Sequence, residues 1–262
     1  MIQNPAAERG FHHIALASVG STNDEAMARA RAGAALPLWV TAERQIKGRG
    51  RQGAPWTSES GNLYASLALR VESVHHLGEL PILASVALHD ALGNLMKPDA
   101  LSQLAIKWPN DLLFEGRKIS GILAESRADE SVGSLAVIGI GVNLAHHPQS
   151  TRHPATDLAA EGIAIAPADL FAALNQAMAV RLAQWQDGAR GGFSAIRAAW
   201  LERVSGLGEP IEVRLPNETL TGRFGGMDES GRLILQQAGD ADRLISAGEV
   251  FLFEHSPTHG AT

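Results

Sequence analysis

Cysteine is absent from the 262 residues, which excludes a disulfide framework, thiolate catalysis and any metal site built on Cys. Aromatic residues make up only 5% of the chain, with a single tyrosine. That leaves few platforms on which the bases of a single-stranded nucleic acid could stack. Excess positive charge is missing too. The 22 Lys and Arg stand against 28 Asp and Glu, a formal net charge of −6, whereas a general nucleic-acid binder is usually basic. No apolar run is long enough to span a bilayer, and residues 1–10 carry no apolar segment behind a basic start, so a cytoplasmic location is expected. The remaining composition, 45% hydrophobic and 19% charged, is ordinary for a globular enzyme. The length suits one large α/β domain, alone or with a small appendage.

Against this acidic background the segment Thr41–Gly53 stands out. Arg44, Lys47, Arg49 and Arg51 are interleaved with Gly48, Gly50 and Gly53, and such a stretch is expected to form neither helix nor strand. Glycines let backbone N–H groups converge on an anion, and arginines supply forked donors for carboxylate or phosphate. A solvated basic surface loop would carry the same charges. The interleaved glycines and the nearby Trp56 favour a binding loop. It has neither the P-loop nor the Rossmann glycine spacing. A second polar cluster, Lys107-Trp108-Pro109-Asn110-Asp111, ends an apolar run. Lys107 there is either a snorkelling strand-end lysine or a cation placed where a carboxylate attacks a phosphate. Asn110 and Asp111 suit a turn equally well, and Asp111 could also help hold a divalent metal beside a triphosphate.

Periodicity supplies the frame. Strands are expected at 11–16, 38–42, 62–69, 104–108, 112–114, 118–124 and 135–142. A helix is expected over about 23–32, with Thr22 and Glu25 as a capping box, and others over about 80–96, 167–186 and 193–204. Glu115-Gly116-Arg117 reads as a hairpin turn. Gly121, Gly139 and Gly141 suggest a flat ligand lying against strand backbone. The pairs His12-His13, His75-His76 and His146-His147 point to opposite faces of any strand, so they make poor chelates and are expected mostly at the surface. After Gly206-Leu207-Gly208 the pattern turns to short strands at 211–215, 219–224, 233–235 and 250–253. Two domains are expected, 1–206 and 207–262, the second a small β-barrel.

Jointly, Ser21-Thr22-Asn23, Gly48-Arg49-Gly50-Arg51-Gln52-Gly53 with Trp56, Asn62-Leu63-Tyr64, Lys107-Trp108-Pro109-Asn110-Asp111-Leu112 and Gly121-Ile122-Leu123 resemble the biotin–protein ligases, the biotin–[acetyl-CoA-carboxylase] ligases. The resemblance implies an α+β fold, a mixed sheet flanked by helices as in class II synthetases, followed by an SH3-like β-barrel. It also implies two chemical steps. Biotin's carboxylate attacks the α-phosphate of Mg-ATP to give biotinyl-5′-AMP and pyrophosphate, and an acceptor lysine then displaces AMP. By resemblance, Ser21, Thr22, Asn23 and Gln45 bind the ring end of biotin, and Gly48, Gly121 and Leu123 line its pocket. Arg49, Arg51 and Lys107 face the reacting anions as the catalytic group. Trp56, Asn110 and Asn143, with Arg51 and Lys107, lie on the nucleotide side, and Asp111 is the candidate ligand for Mg2+.

The implied partner is the biotin carboxyl carrier protein of acetyl-CoA carboxylase. The oligomer that the resemblance allows is a homodimer made by sheet extension. Only about 20 residues precede Ser21, too few for the DNA-binding module that some relatives carry, so no operator binding is expected. Gln52, Ala54 and Pro55 depart from the usual basic continuation of the loop, but Arg49 and Arg51 are kept and binding is expected to persist. The alternatives are a lipoate or octanoate ligase of the same fold and a non-catalytic biotin or nucleotide sensor.

Overall fold

A computed structural model describes residues 11–71, 77–127, 134–149, 151, 154–190, 192–239 and 241–252. The chain runs β1 (His12–Val19), α1 (Thr22–Arg31), β2 (Leu38–Gln45), β3 (Leu63–Val71), α2 (Glu79–Gly93), α3 (Pro98–Leu101), β4 (Leu104–Lys107), β5 (Asp111–Phe114), β6 (Arg117–Arg127), β7 (Ser134–Val142), α4 (Pro167–Gln186) and α5 (Gly192–Leu201). Then follow β8 (Pro210–Arg214), β9 (Thr219–Met227), β10 (Leu233–Gln236), β11 (Arg243–Ile245) and β12 (Glu249–Leu252). The pair His75-His76 and the end of the last expected strand, Phe253, lie outside the described residues.

The first seven strands form one mixed sheet in the order β1-β2-β3-β7-β6-β5-β4. Only β1 and β2 run parallel; the other neighbours are antiparallel. The β5–β6 hairpin turns through Glu115 and Gly116, both at positive φ (48° and 75°), the pairing of signs that a tight two-residue hairpin turn requires. Alternation along the central strands sorts residues between two faces. Leu63, Ala65 and Leu67 of β3 and Ala136, Ile138, Ile140 and Val142 of β7 join the large core with α2, α4 and α5. Ala68 of β3 and Leu135 and Val137 of β7 join a smaller cluster with Ala26 and Ala30 of α1.

Helix α2 is buried nearly all round: eleven of its fifteen residues are inaccessible, because the sheet covers one side and α4 and α5 the other. A helix without a polar face is stable only inside such a sandwich. Asp90 near its C-terminal end accepts from Arg181 of α4 (Nε, 2.7 Å) and from Arg203 just beyond α5 (Nη2, 3.2 Å), so one carboxylate ties three elements.

The last five strands form a separate antiparallel sheet, β11-β10-β9-β8-β12. No pairing among the described residues joins its two edges, so the expected closed barrel is here an open five-stranded sheet consistent with an SH3-like domain. Strand β11 escaped the sequence reading, since three residues flanked by polar ones carry little periodic signal. This sheet is docked on the first unit by Trp200 of α5, edge-on to Phe224 (6.4 Å between ring centroids). Trp108 Nε1 also donates to Gly231 O (3.2 Å).

Other expectations need correction. Strand β2 continues to Gln45, into the glycine–arginine segment, because β1 pairs with it as far as Val19–Gln45. Helix α5 stops at Leu201 rather than near Val204, which instead bridges to Ile106 of β4. The cap of α1 is Ser21, with extended backbone and a hydroxyl accepting from Asp24 N. Thr22 is not the cap, because its own N–H and hydroxyl both turn to Gln45.

Replacing Asp90 with Ala should lower unfolding stability by roughly 1–3 kcal/mol, the range for losing hydrogen bonds to charged groups. The readout is the urea midpoint, and an unchanged midpoint would mean that apolar packing alone holds the three elements.

Candidate active site

The site begins with bare backbone. Gly121 of β6 and Gly139 and Gly141 of β7 lie on the sheet face that carries α1, and each is approached by a side chain from elsewhere. A methyl group on Gly141 would sit 2.6 Å from the Trp56 indole, one on Gly121 would sit 3.0 Å from it, and one on Gly139 would collide with the Asn23 amide. The flat group lying on the strands is thus an indole of the chain itself.

Asn23 is nearly inaccessible and fully engaged. Its Oδ1 accepts from Ser66 Oγ (2.6 Å), and its Nδ2 donates to Glu125 Oε2 (2.7 Å). Ser66 Oγ is also within 2.8 Å of Thr22 Oγ1, and Thr22 reaches Gln45 Oε1 through its N–H (2.8 Å) and hydroxyl (2.9 Å). Ser21, Thr22, Asn23 and Gln45 are therefore locked together where the N-terminus of α1 meets the end of β2, the positive end of the helix dipole.

The glycine–arginine loop folds back on itself. Lys47 N donates to Gly20 O (2.7 Å), Gly50 N to Ala54 O (2.7 Å) and Trp56 N to Gly48 O (3.0 Å). Gly48 is needed because a Cβ there would meet Ser58 Oγ at 2.5 Å and Trp56 O at 2.6 Å. Gln52 and Gly53 turn the tip with positive φ (55° and 73°).

The two arginines of the loop pin it at different places. Arg49 donates to both oxygens of Asp24 (2.7 Å each) and to Glu125 (3.0 Å). The Arg49 guanidinium in turn holds the Asp24 carboxyl below the usual carboxylate range. Arg51 donates to Asn110 Oδ1 (3.3 Å) and to Gly248 O in the turn before β12 (3.2 Å).

Lys107 ends β4 with 8% of its surface exposed, and its ammonium lies 5.8 Å from the centre of the Phe251 ring. Burial pushes its pKa below the usual lysine range; Asp111 and Glu249 act against that shift and Lys118 adds to it. Asp111 pairs with Lys118 (2.7 Å), whose ammonium also stands 5.6 Å from the Trp56 ring. Asn110 donates to Ile122 O, and Asn143 donates to Thr156 O (3.0 Å).

All of these surround one cavity of about 1050 Å³, which takes in Ser21, Thr22, Asn23, Gln45, Arg49, Arg51, Trp56, Lys107, Asn110, Asp111, Gly121, Leu123 and Asn143. Of the residues expected from the sequence, Gly48 alone is not on its wall; it shapes the loop instead. Lys118, Arg214, Gly248 and Glu249 also line the cavity, and Asp24 and Glu125 anchor Arg49. The sequence reading singled out none of these six. Glu125 follows Gly121 and Leu123 at period 2 on the same face of β6, a signal that could have revealed it. The second-sheet residues had no such cue.

Asn62, part of the sequence signature, is a structural staple. Its Oδ1 accepts from the N–H groups of Leu144, Ala145 and His146 (2.8, 2.9 and 3.1 Å). Of the histidine pairs, His12, His13 and His146 are exposed, and the half-buried His147 places its Nδ1 2.6 Å from Asp157 Oδ2. Among the described residues no three His, Asp or Glu side chains gather as a metal site. Asp111 is one of two carboxylates on the wall, with Glu249, which fits a cation that arrives with a phosphate group, since such ions need one or two protein carboxylates.

This geometry has known counterparts. Residues 20–143 match the Biotin/lipoate A/B protein ligase family, and residues 206–252 match the Biotin protein ligase C terminal domain. A biotin–[acetyl-CoA-carboxylase] ligase of Paracoccus denitrificans is 40% identical over 244 residues, covering 90% of this chain and 98% of that protein. The chain belongs to the biotin protein ligase family.

Within this family, the bifunctional ligase/repressor BirA of Bacillus subtilis is 31% identical over 91% of this chain and 73% of its own length. The biotin protein ligase of Aquifex aeolicus, solved in complex with biotin and ATP, superposes with a TM-score of 0.77 at 25% identity, covering 92% of this chain and 98% of that one. The family fold therefore extends over both sheets.

The contact between Trp56 and the bare strands can be tested without any ligand. Gly141→Ala should drive the indole off the sheet and shift tryptophan emission to longer wavelength by several nanometres. No shift is expected when the same change is made in a Trp56→Phe background. Equal shifts in both would place the perturbation at another tryptophan.

Proposed function

We propose that the protein is an ATP-dependent biotin–protein ligase that forms biotinyl-5′-AMP and passes the biotinyl group to one lysine of a biotin carboxyl carrier protein, as acts in acetyl-CoA carboxylase. The observation that carries this reading is that, in a chain of this family, Arg49, Arg51 and Lys107 line one and the same cavity beside glycine-bared strands. The N-terminal end of α1 and Gln45 offer a fixed polar corner for the ureido ring, with Leu123 and, once the Trp56 indole lifts from it, Gly121 as the wall beside it. Trp56, Asn110 and Asn143 stand on the nucleotide side.

In the first step a carboxylate oxygen bonds to the α-phosphorus, and the bond to the leaving pyrophosphate breaks. Two anions must meet, so fixed cations that face the growing charge lower the barrier. Lys107 holds its ammonium at that point, and Arg51 reaches the same place from the loop. In the second step the neutral lysine amine of the carrier attacks the acyl carbon, AMP leaves with the bonding pair, and the amine loses a proton. No protein nucleophile is required. Asp111 would hold Mg2+ that arrives with the triphosphate, after exchanging its contact with Lys118, and the ion would neutralise phosphate charge.

We assign residues 1–206 to catalysis and 207–262 to a supporting domain that reaches the cavity through Gly248 and Glu249. No helix among the described residues is long and apolar enough to cross a membrane. We place the reaction in the cytoplasm, with no nucleic acid involved. The outer edge of β1, which has no strand partner among the described residues, is where a homodimer would extend the sheet.

Biotin-dependent release of pyrophosphate from Mg-ATP tests the reading, with lipoate and octanoate run in parallel. Release with biotin alone is expected; release with lipoate instead would move the protein to a sister activity of the same fold. Lys107→Ala should cut adenylate formation by roughly 10²–10³-fold with an unchanged melting temperature. Because burial lowers the Lys107 pKa, the ammonium is lost at a lower pH than in a free lysine. The kcat/KM for adenylation should therefore fall on the alkaline side below the usual lysine range. Lys107→Arg should abolish that fall, and its persistence would assign the limb to another group.

A further inference from the structure

Arg49 is expected to meet the substrate's carboxylate, yet two carboxylates of the chain already hold it. Asp24 takes both guanidinium nitrogens in a bidentate pair at 2.7 Å each, and Glu125 takes Nη2 at 3.0 Å. The bidentate site can serve one planar carboxylate at a time. A ligand carboxylate of the same shape and charge must therefore take the place of one of these two.

The two differ in what release would cost. Glu125 also accepts from Asn23 Nδ2 at 2.7 Å, and Asn23 is buried with 5% exposure, so withdrawing Glu125 would leave a buried donor unpaired. Asp24 has 64% of its side chain exposed. Among the described residues its carboxylate has no other hydrogen-bond partner, and it sits in the first turn of α1, where the helix end stabilises a free carboxylate. Water and the helix can take Asp24 at little cost, and the Glu125–Arg49 pair can stay.

We propose that Asp24 is an internal competitor for the substrate: its carboxylate occupies the bidentate face of Arg49, keeps the loop in place, and is exchanged for the carboxylate of biotin on binding. This rests on the ligase reading of the cavity. Asp24 is then a positioning residue that sets affinity by the strength of the pair it gives up. Its removal should strengthen binding, the opposite of what loss of a structural latch would do.

The test is calorimetric titration of the full chain, without ATP, with biotin and with the neutral amide of biotin. Asp24→Asn should bind biotin roughly three- to fivefold more tightly, the worth of one exposed ion pair, and the amide no differently from the unaltered protein. In an Arg49→Ala background the same change should have no effect, because the competition has lost its object. Glu25→Gln is the control: it removes an acid from the same turn of α1, one that pairs with Arg29, and should leave both affinities unchanged. Weaker or unchanged biotin binding by Asp24→Asn, or an equal gain for the neutral amide, would overturn the proposal. If the unaltered protein binds no biotin at all, it is the ligase reading that falls.

Discussion

Gly121, Gly139 and Gly141 leave one face of β6 and β7 as bare backbone, while Ile122, Ile138 and Ile140, interleaved with them, fill the opposite face with apolar bulk. The strands are thus anchored from below and open above. Every other part of the site uses the space so made. Trp56 lies on two of the glycines, Asn23 reaches the third, and the loop that carries Trp56 can come down far enough for Arg49 and Arg51 to find their partners. A side chain at Gly121 or Gly141 would push the Trp56 indole, and the loop that carries it, off the sheet, and one at Gly139 would displace Asn23 at the start of α1.

The charges of the site are organised by pairing. Arg49 is held by Asp24 and Glu125, Lys118 by Asp111, and Arg51 by the Gly248 carbonyl in the β11–β12 turn and the Asn110 amide. Lys107 is the most deeply buried of the four cations, and its depressed pKa records the cost of keeping an ammonium there. The cations of the cavity are thus balanced largely within the protein itself. The second unit takes part through the Gly248 carbonyl that holds Arg51, through Glu249, whose charge favours the ammonium form of Lys107, and through the Phe251 ring beside that ammonium.

Much of this was legible in the sequence because it rests on local rules. Period-2 alternation located the strands of the large sheet, and Pro167 marked the start of α4. The glycine and arginine spacing with Lys107-Trp108-Pro109-Asn110 marked the cavity. What escaped depends on partners distant in sequence. Thr22 looked like a helix cap until Gln45, 23 residues on, claimed its hydroxyl, and Ser21 took the cap. Gln45 was read as loop but is strand, because β1 supplies a parallel neighbour that no local pattern shows. Asp24 and Glu125 could not be matched to Arg49 without the fold, nor could Gly248 to Arg51. The glycines were read correctly as a place of close approach, but the group that approaches is an indole of the chain.

The nearly unbroken apolar surface of α2 has a consequence for how the chain is made. Its covering helices lie far downstream, at residues 167–201. At a synthesis rate of about 5–20 residues per second, α2 waits on the order of 5–20 seconds on the ribosome before its lid has been translated. Throughout that interval this apolar helix lacks the wall made by α4 and α5, and until β4–β7 (residues 104–142) have been translated it lacks the sheet wall as well. Nascent chains of this fold should therefore be clients of ribosome-associated chaperones, and the demand should end once α5 emerges.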